Sequence, residues 1–178
     1  MHETNKGVQD ALNVAHGFEK TLVSFFAQFP HLPEDGRKVL AQIVPWFALV
    51  VGILGIISFI GVLGAGTVAM TVSGGLGSVT GIQGMLNGGV FGIVLLVSVI
   101  LGLAVAILEL LAFQPLKKNM KKGWNFLFYG LLIGALSTSI NVVGSALLGQ
   151  GVGSLIGGVL GFLIGGWILF EIRSHFTK

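Results

Sequence analysis

Gly153, Gly157, Gly161 and Gly165 recur every fourth residue in a stretch that carries no charge until Glu171. Leu, Ile, Val and Phe fill the positions between them. At 3.6 residues per turn, a four-step spacing stacks the glycines along one side of a helix. In water so much glycine makes a poor helix, at roughly 1 kcal/mol per residue relative to alanine. In lipid the backbone has no hydrogen-bonding partner but itself, so the segment stays helical and the glycine row becomes a flat strip that a second helix can approach. The stretch therefore predicts a membrane-spanning helix with Gly153, Gly157, Gly161 and Gly165 as its packing face.

Composition extends this reading to the whole chain. A mean hydropathy of +0.93, with 53% hydrophobic and 10% charged residues, lies outside the range of water-soluble domains. The absence of cysteine excludes disulfides, thiol nucleophiles and thiolate metal sites. A net charge of +3 raises the question of nucleic acid, but the basic residues sit at the ends of apolar runs and no nucleic-acid motif surrounds them. Nucleic acid is therefore not an expected partner.

Taken in order, the first 44 residues form a cytoplasmic or interfacial region. From about Asn5 to Phe29 the pattern is helical and amphipathic, with Val8, Leu12, Phe18, Leu22, Phe25 and Phe26 on one side and Asp10, Asn13, Lys20 and Ser24 on the other. Glu19 falls inside the apolar arc. Such a helix lies in the membrane interface or docks beneath its own bundle. No short apolar core precedes a small-residue cleavage site here, so the first span is expected to act as the insertion signal. Pro30-His31-Leu32-Pro33 breaks the helix, and Pro33 followed by Glu34 and Asp35 starts another. Pro45 is expected to kink or end that short helix at the membrane surface, beside Trp46 as an anchor.

The transmembrane domain covers residues 45–171, with spans at about 46–65, 89–113, 124–148 and 152–170, and residues 172–178 form a tail. Pro115 is expected to stop the second span. Residues 66–88 are glycine-rich and uncharged, and read as a loop resting on the lipid surface. A re-entrant segment is the alternative, with Leu76, Val79, Ile82 and Met85 recurring every third residue. All ten lysines and arginines lie in the N-terminal region, the middle loop or the tail, which four spans place on one side. The positive-inside rule makes that side cytoplasmic, so the expectation is a multi-pass protein of the plasma (inner) membrane with both termini in the cytoplasm.

Two polar residues stand out within the spans. Glu109 is the one carboxylate well inside a span and is a functional candidate because its burial is costly. It also lies within snorkelling reach of Lys117 or Arg173, which makes an ion pair the plainer reading. Asn141 lies deeper, near Ser137, Thr138, Ser139 and Ser145, and reads as a hydrogen-bonding bridge between helices. Catalytic constellations are missing. His2, His16, His31 and His175 lie outside the spans, no aspartate lies within them, and no H-E-x-x-H or phosphate-binding loop occurs. No catalytic, metal or cofactor residue is assigned.

The expected fold is an all-α bundle of four transmembrane helices with an N-terminal cytoplasmic amphipathic helix. The expected function is non-catalytic: a scaffold or accessory subunit that associates with itself or another membrane protein through glycine-lined helices, among membrane lipids. The alternatives are a small oligomeric channel or transporter using Glu109 or Asn141, and a lipid-interacting, membrane-shaping protein acting through its N-terminal helix.

Overall fold

The computed structural model describes residues 13–14, 17–64, 89–147 and 153–177. The glycine-rich segment 66–88, residues 148–152 and most of the predicted N-terminal helix before residue 17 fall outside the described residues. Among the described residues the structure is all-helical and has no strand. Its four long helices are α1 (Glu34–Gly64), α2 (Gly89–Lys117), α3 (Lys121–Leu147) and α4 (Gly153–Glu171), and a 3₁₀ turn covers Arg173–His175. Each of the four is long and apolar enough to cross a membrane.

Neither helix ends at its proline. α1 runs unbroken through Pro45 for 31 residues, or about 46 Å at 1.5 Å per residue. Pro45 forfeits one backbone bond, but the helix is packed on both sides of it: Ala41 and Ala48 belong to the core, at 7% and 4% exposure. Neighbouring helices hold the segment helical where an isolated one would break. α2 likewise passes Pro115 and stops two residues later. The carbonyl of Pro115 accepts the N–H of Met120 at 2.9 Å, and that of Leu116 accepts the N–H of Asn119 at 2.9 Å. Asn119 takes φ +53°, so the pair forms a Schellman-type cap with asparagine in the left-handed position.

That cap turns the chain back within residues 118–120, and Gly123 makes the tight return possible. A Cβ on Gly123 would lie 2.6 Å from the backbone nitrogen of Leu116 and 3.0 Å from the carbonyl carbon of Pro115. Further along the same pair, Gly144 lies against Val94, where a Cβ would approach to 2.8 Å. Gly52 and Gly55 of α1 perform the same service against Leu110 and Ala106 of α2.

The helices pack in sequence, α1 on α2, α2 on α3, and α3 on α4. α1 and α4 do not pack closely, so the four-helix arrangement is open on one side rather than a closed bundle. The best-packed core lies at one end, where α1 and α3 begin and α2 and α4 finish. Trp124 is buried there, stacked on Phe128 at 5.3 Å and 8°, and its indole N–H donates to the carbonyl of Leu169 at 2.8 Å. Leu116, Ile172 and Phe176 are buried around it. Trp124 is thus a core residue rather than a surface anchor, while Trp46 stays 54% exposed with the Lys117 ammonium 4.9 Å from its ring centroid. Ala41, Ala48, Ala106 and Ala112 are buried, and Leu54, Ile60, Ile93, Ile100 and Ile164 are exposed.

Candidate functional site

α1 and α4 meet near Arg37 and Glu171 and leave a cleft further along. The cleft encloses about 420 Å³. Its walls include Val44 and Phe47 from α1, Gly130 and Gly134 from α3, and Gly158, Gly161 and Gly165 from α4, with Glu109 of α2 in the lining. The wall is open because glycine presents no side chain. A Cβ on Gly134, Gly157 or Gly161 would meet nothing within 4 Å, and one on Gly165 would make an ordinary 3.7 Å contact with Leu131.

The predicted packing row therefore does not form the contact within the chain. Gly153 opens α4, Gly157 and Gly161 face no neighbour, and Gly165 borders the cleft. The contacts of α4 are made one residue along: Gly158 receives the side chain of Thr138, and Gly166 receives the ring of Phe26. A Cβ on Gly166 would lie 2.8 Å from Cε2 of that ring. The double glycines Gly157-Gly158 and Gly165-Gly166 thus serve two faces of one helix.

Glu109 does not form the ion pair expected of it. Lys117 lies over the rings of Trp46 and Phe113, and Arg173 pairs with Glu19 at 2.5 Å. Among the described residues Glu109 makes no ion pair or hydrogen bond, and it faces the cleft. Asn141 lies apart from it and bridges helices. Its Nδ2 donates to Ser98 Oγ on α2 and to the carbonyl of Ser137, both at 2.8 Å. Such a bridge contributes about 1 kcal/mol in a membrane helix pair.

A second set of polar contacts ties the two ends of the chain together. Glu171, with its side chain 4% exposed, accepts the backbone N–H of Leu32 at 2.8 Å and pairs with Arg37 Nε at 2.9 Å and His31 Nδ1 at 3.0 Å. Trp167 donates its indole N–H to the carbonyl of Pro30 at 3.0 Å. Phe26, 3% exposed, stacks on Phe170 at 5.2 Å. Glu19, the residue out of place on the apolar arc, is buried because its partner Arg173 lies there too. The helical residues 17–26 do not simply lie beneath the bundle: Val14, Phe18 and Leu22 share a groove with Leu132, Leu136 and Phe162 on the flank of α3 and α4.

Comparison with known protein families, curated proteins and solved structures gives no match to this chain.

Sequence reading missed the clamp. Its members are 140 residues apart in the chain, and nothing local marks Glu171 or His31 as partners. Gly158 and Gly166 were visible as the second glycine of each pair. Phe162 between them breaks the small-residue row and conceals its face.

Proposed function

We propose that this protein is a non-catalytic membrane scaffold or accessory subunit that seats a transmembrane helix of a second chain in the cleft between α1 and α4. One observation carries the reading: Gly134 and Gly161 line the cleft, and a Cβ on either, or on Gly157 beside it, would meet none of the described residues within 4 Å. Small residues without a partner on an apolar helix are where a second backbone approaches closely. The outward-facing isoleucines and leucines support a lipid-exposed exterior. Arg37, Lys38, Lys117, Lys118, Lys121, Lys122 and Arg173 lie where α1 and α3 begin and α2 and α4 finish, the end that the positive-inside rule assigns to the cytoplasm. Whether the seated helix comes from a second copy or from another membrane protein is an outcome of the test.

Leucine at Gly157 and Gly161 adds bulk to this face of α4, where a Cβ meets none of the described residues within 4 Å. The double variant is expected to fold, and to lose at least ten-fold in association measured by cross-linking in native membranes. Undiminished cross-linking in a folded double variant contradicts the proposal.

Glu109 favours a second reading, a small channel or transporter, because it lines the cleft without an ion partner. On that reading Glu109→Gln changes solute flux into reconstituted vesicles. On the scaffold reading it leaves partner capture intact and there is no flux to change.

A further inference from the structure

A separate cavity of about 540 Å³ opens at the basic end. That size falls within the roughly 300–1,000 Å³ of small-molecule sites. Arg37, Lys121 and Arg173 line it, with Phe26, Trp167 and Phe170 supplying apolar wall. The carboxylate in the lining, Glu171, has both oxygens engaged: Oε1 by the Leu32 N–H and Arg37, Oε2 by His31. Arg37 lies against it at Nε, whose N–H donates to the carbonyl of Leu32, and Arg173 is bound to Glu19 through Nη2, so each guanidinium keeps further donors. Lys121 makes no ion pair among the described residues.

The charges therefore leave one surplus. Arg37 is balanced by Glu171 and Arg173 by Glu19, and the ammonium of Lys121 remains. We propose that this cavity binds the headgroup of an anionic phospholipid, its phosphodiester held by Lys121 and the free guanidinium donors and its acyl chain running along the Phe26–Phe170 wall. A phosphodiester carries the single negative charge that the site lacks. Planar guanidinium donors match its oxygens, and basic pockets between helices at the cytoplasmic surface are suited to such headgroups. A zwitterionic lipid brings its own cation and gains less from Lys121. The site is distinct from the glycine-lined cleft, and it holds whether or not that cleft seats a helix.

The test is native mass spectrometry of the full chain in mild detergent, titrated with dioleoylphosphatidylglycerol, dioleoylphosphatidylcholine or inorganic phosphate. The expected result is one phosphatidylglycerol retained about five-fold more tightly than phosphatidylcholine, the size of one basic residue's interaction with anionic lipid. Lys121→Gln should abolish that preference. Because Lys121 has no ion-pair partner among the described residues, the variant should melt as the wild type does. Lys122→Gln removes the same charge from the same end, but Lys122 lies outside the cavity, over the Phe126 ring, and its loss should leave the preference intact. Equal retention of phosphatidylcholine overturns the proposal. So does an undiminished preference in Lys121→Gln, or an equal loss in Lys122→Gln, which marks diffuse surface charge instead. Displacement of the lipid by millimolar phosphate also overturns it, making free phosphate the ligand.

Discussion

Glu171→Ala is expected to destabilise the folded chain by about 3 kcal/mol, since removing one member of a buried charged network leaves its partners unpaired. The side chain is 4% exposed and has three partners: the Leu32 amide, Arg37 and His31. The figure sits at the low end for a buried ion pair because Arg37 is 34% exposed and can recover water. Glu171→Gln keeps the shape and an acceptor for the Leu32 amide, so it should cost about half as much. The loss is also directional. With Glu171 gone, residues 30–33 are held to α4 chiefly by the bond from Trp167 to Pro30. Unfolding in SDS should begin at a lower detergent fraction, and limited proteolysis should cut first between residues 27 and 33. Cleavage elsewhere with that segment still protected would show that the clamp does not hold the N-terminal region.

The second large effect concerns a single methyl group. Gly123→Ala places a Cβ 2.6 Å from the backbone nitrogen of Leu116. Backbone cannot step aside as the tip of a side chain does, so the whole α2–α3 turn must open. Overpacking typically costs 1–3 kcal/mol, and this site belongs at about 3 kcal/mol because its neighbours are backbone and the fully buried Leu116. Trp124, the next residue and itself buried, should report the opening as a red-shifted fluorescence. Gly102 is the control: a Cβ there meets nothing within 4 Å, so Gly102→Ala should lose no stability. Equal losses in the two variants would mean that the close approach at Gly123 is not what sets the cost.

The positions of the helices were legible because a run of about twenty apolar residues has few other uses. α2 through α4 begin and end within a few residues of the expected spans. Both helices outrun their prolines for a shared reason. The rule that proline ends a helix describes an isolated segment, whereas Ala41, Ala48 and Leu116 hold Pro45 and Pro115 in packed surroundings. Which face of α4 packs was not legible. In a soluble helix the hydrophobic stripe marks the inside, but here both sides are apolar and only residue size distinguishes them. Gly157 and Gly158 differ by one position, about 100° around the helix, and are identical in chemistry. The partner of Glu19 was hidden for another reason: Arg173 lies 154 residues away, so the residue could be seen as misplaced without a sign of what it meets.

The central claim is that the cleft between α1 and α4 is a seat for a helix from outside the chain. The most direct measurement is the native mass of the complex extracted in a lipid-retaining medium, with the wild type and the Gly157→Leu, Gly161→Leu double variant run side by side. The account predicts a wild-type complex heavier than one 18.6 kDa chain, either a defined homo-oligomer or an assembly with a different protein. It also predicts that the folded double variant falls to the mass of a single chain with its lipid. A wild-type chain that migrates alone, or a double variant that keeps its full complex, would contradict it.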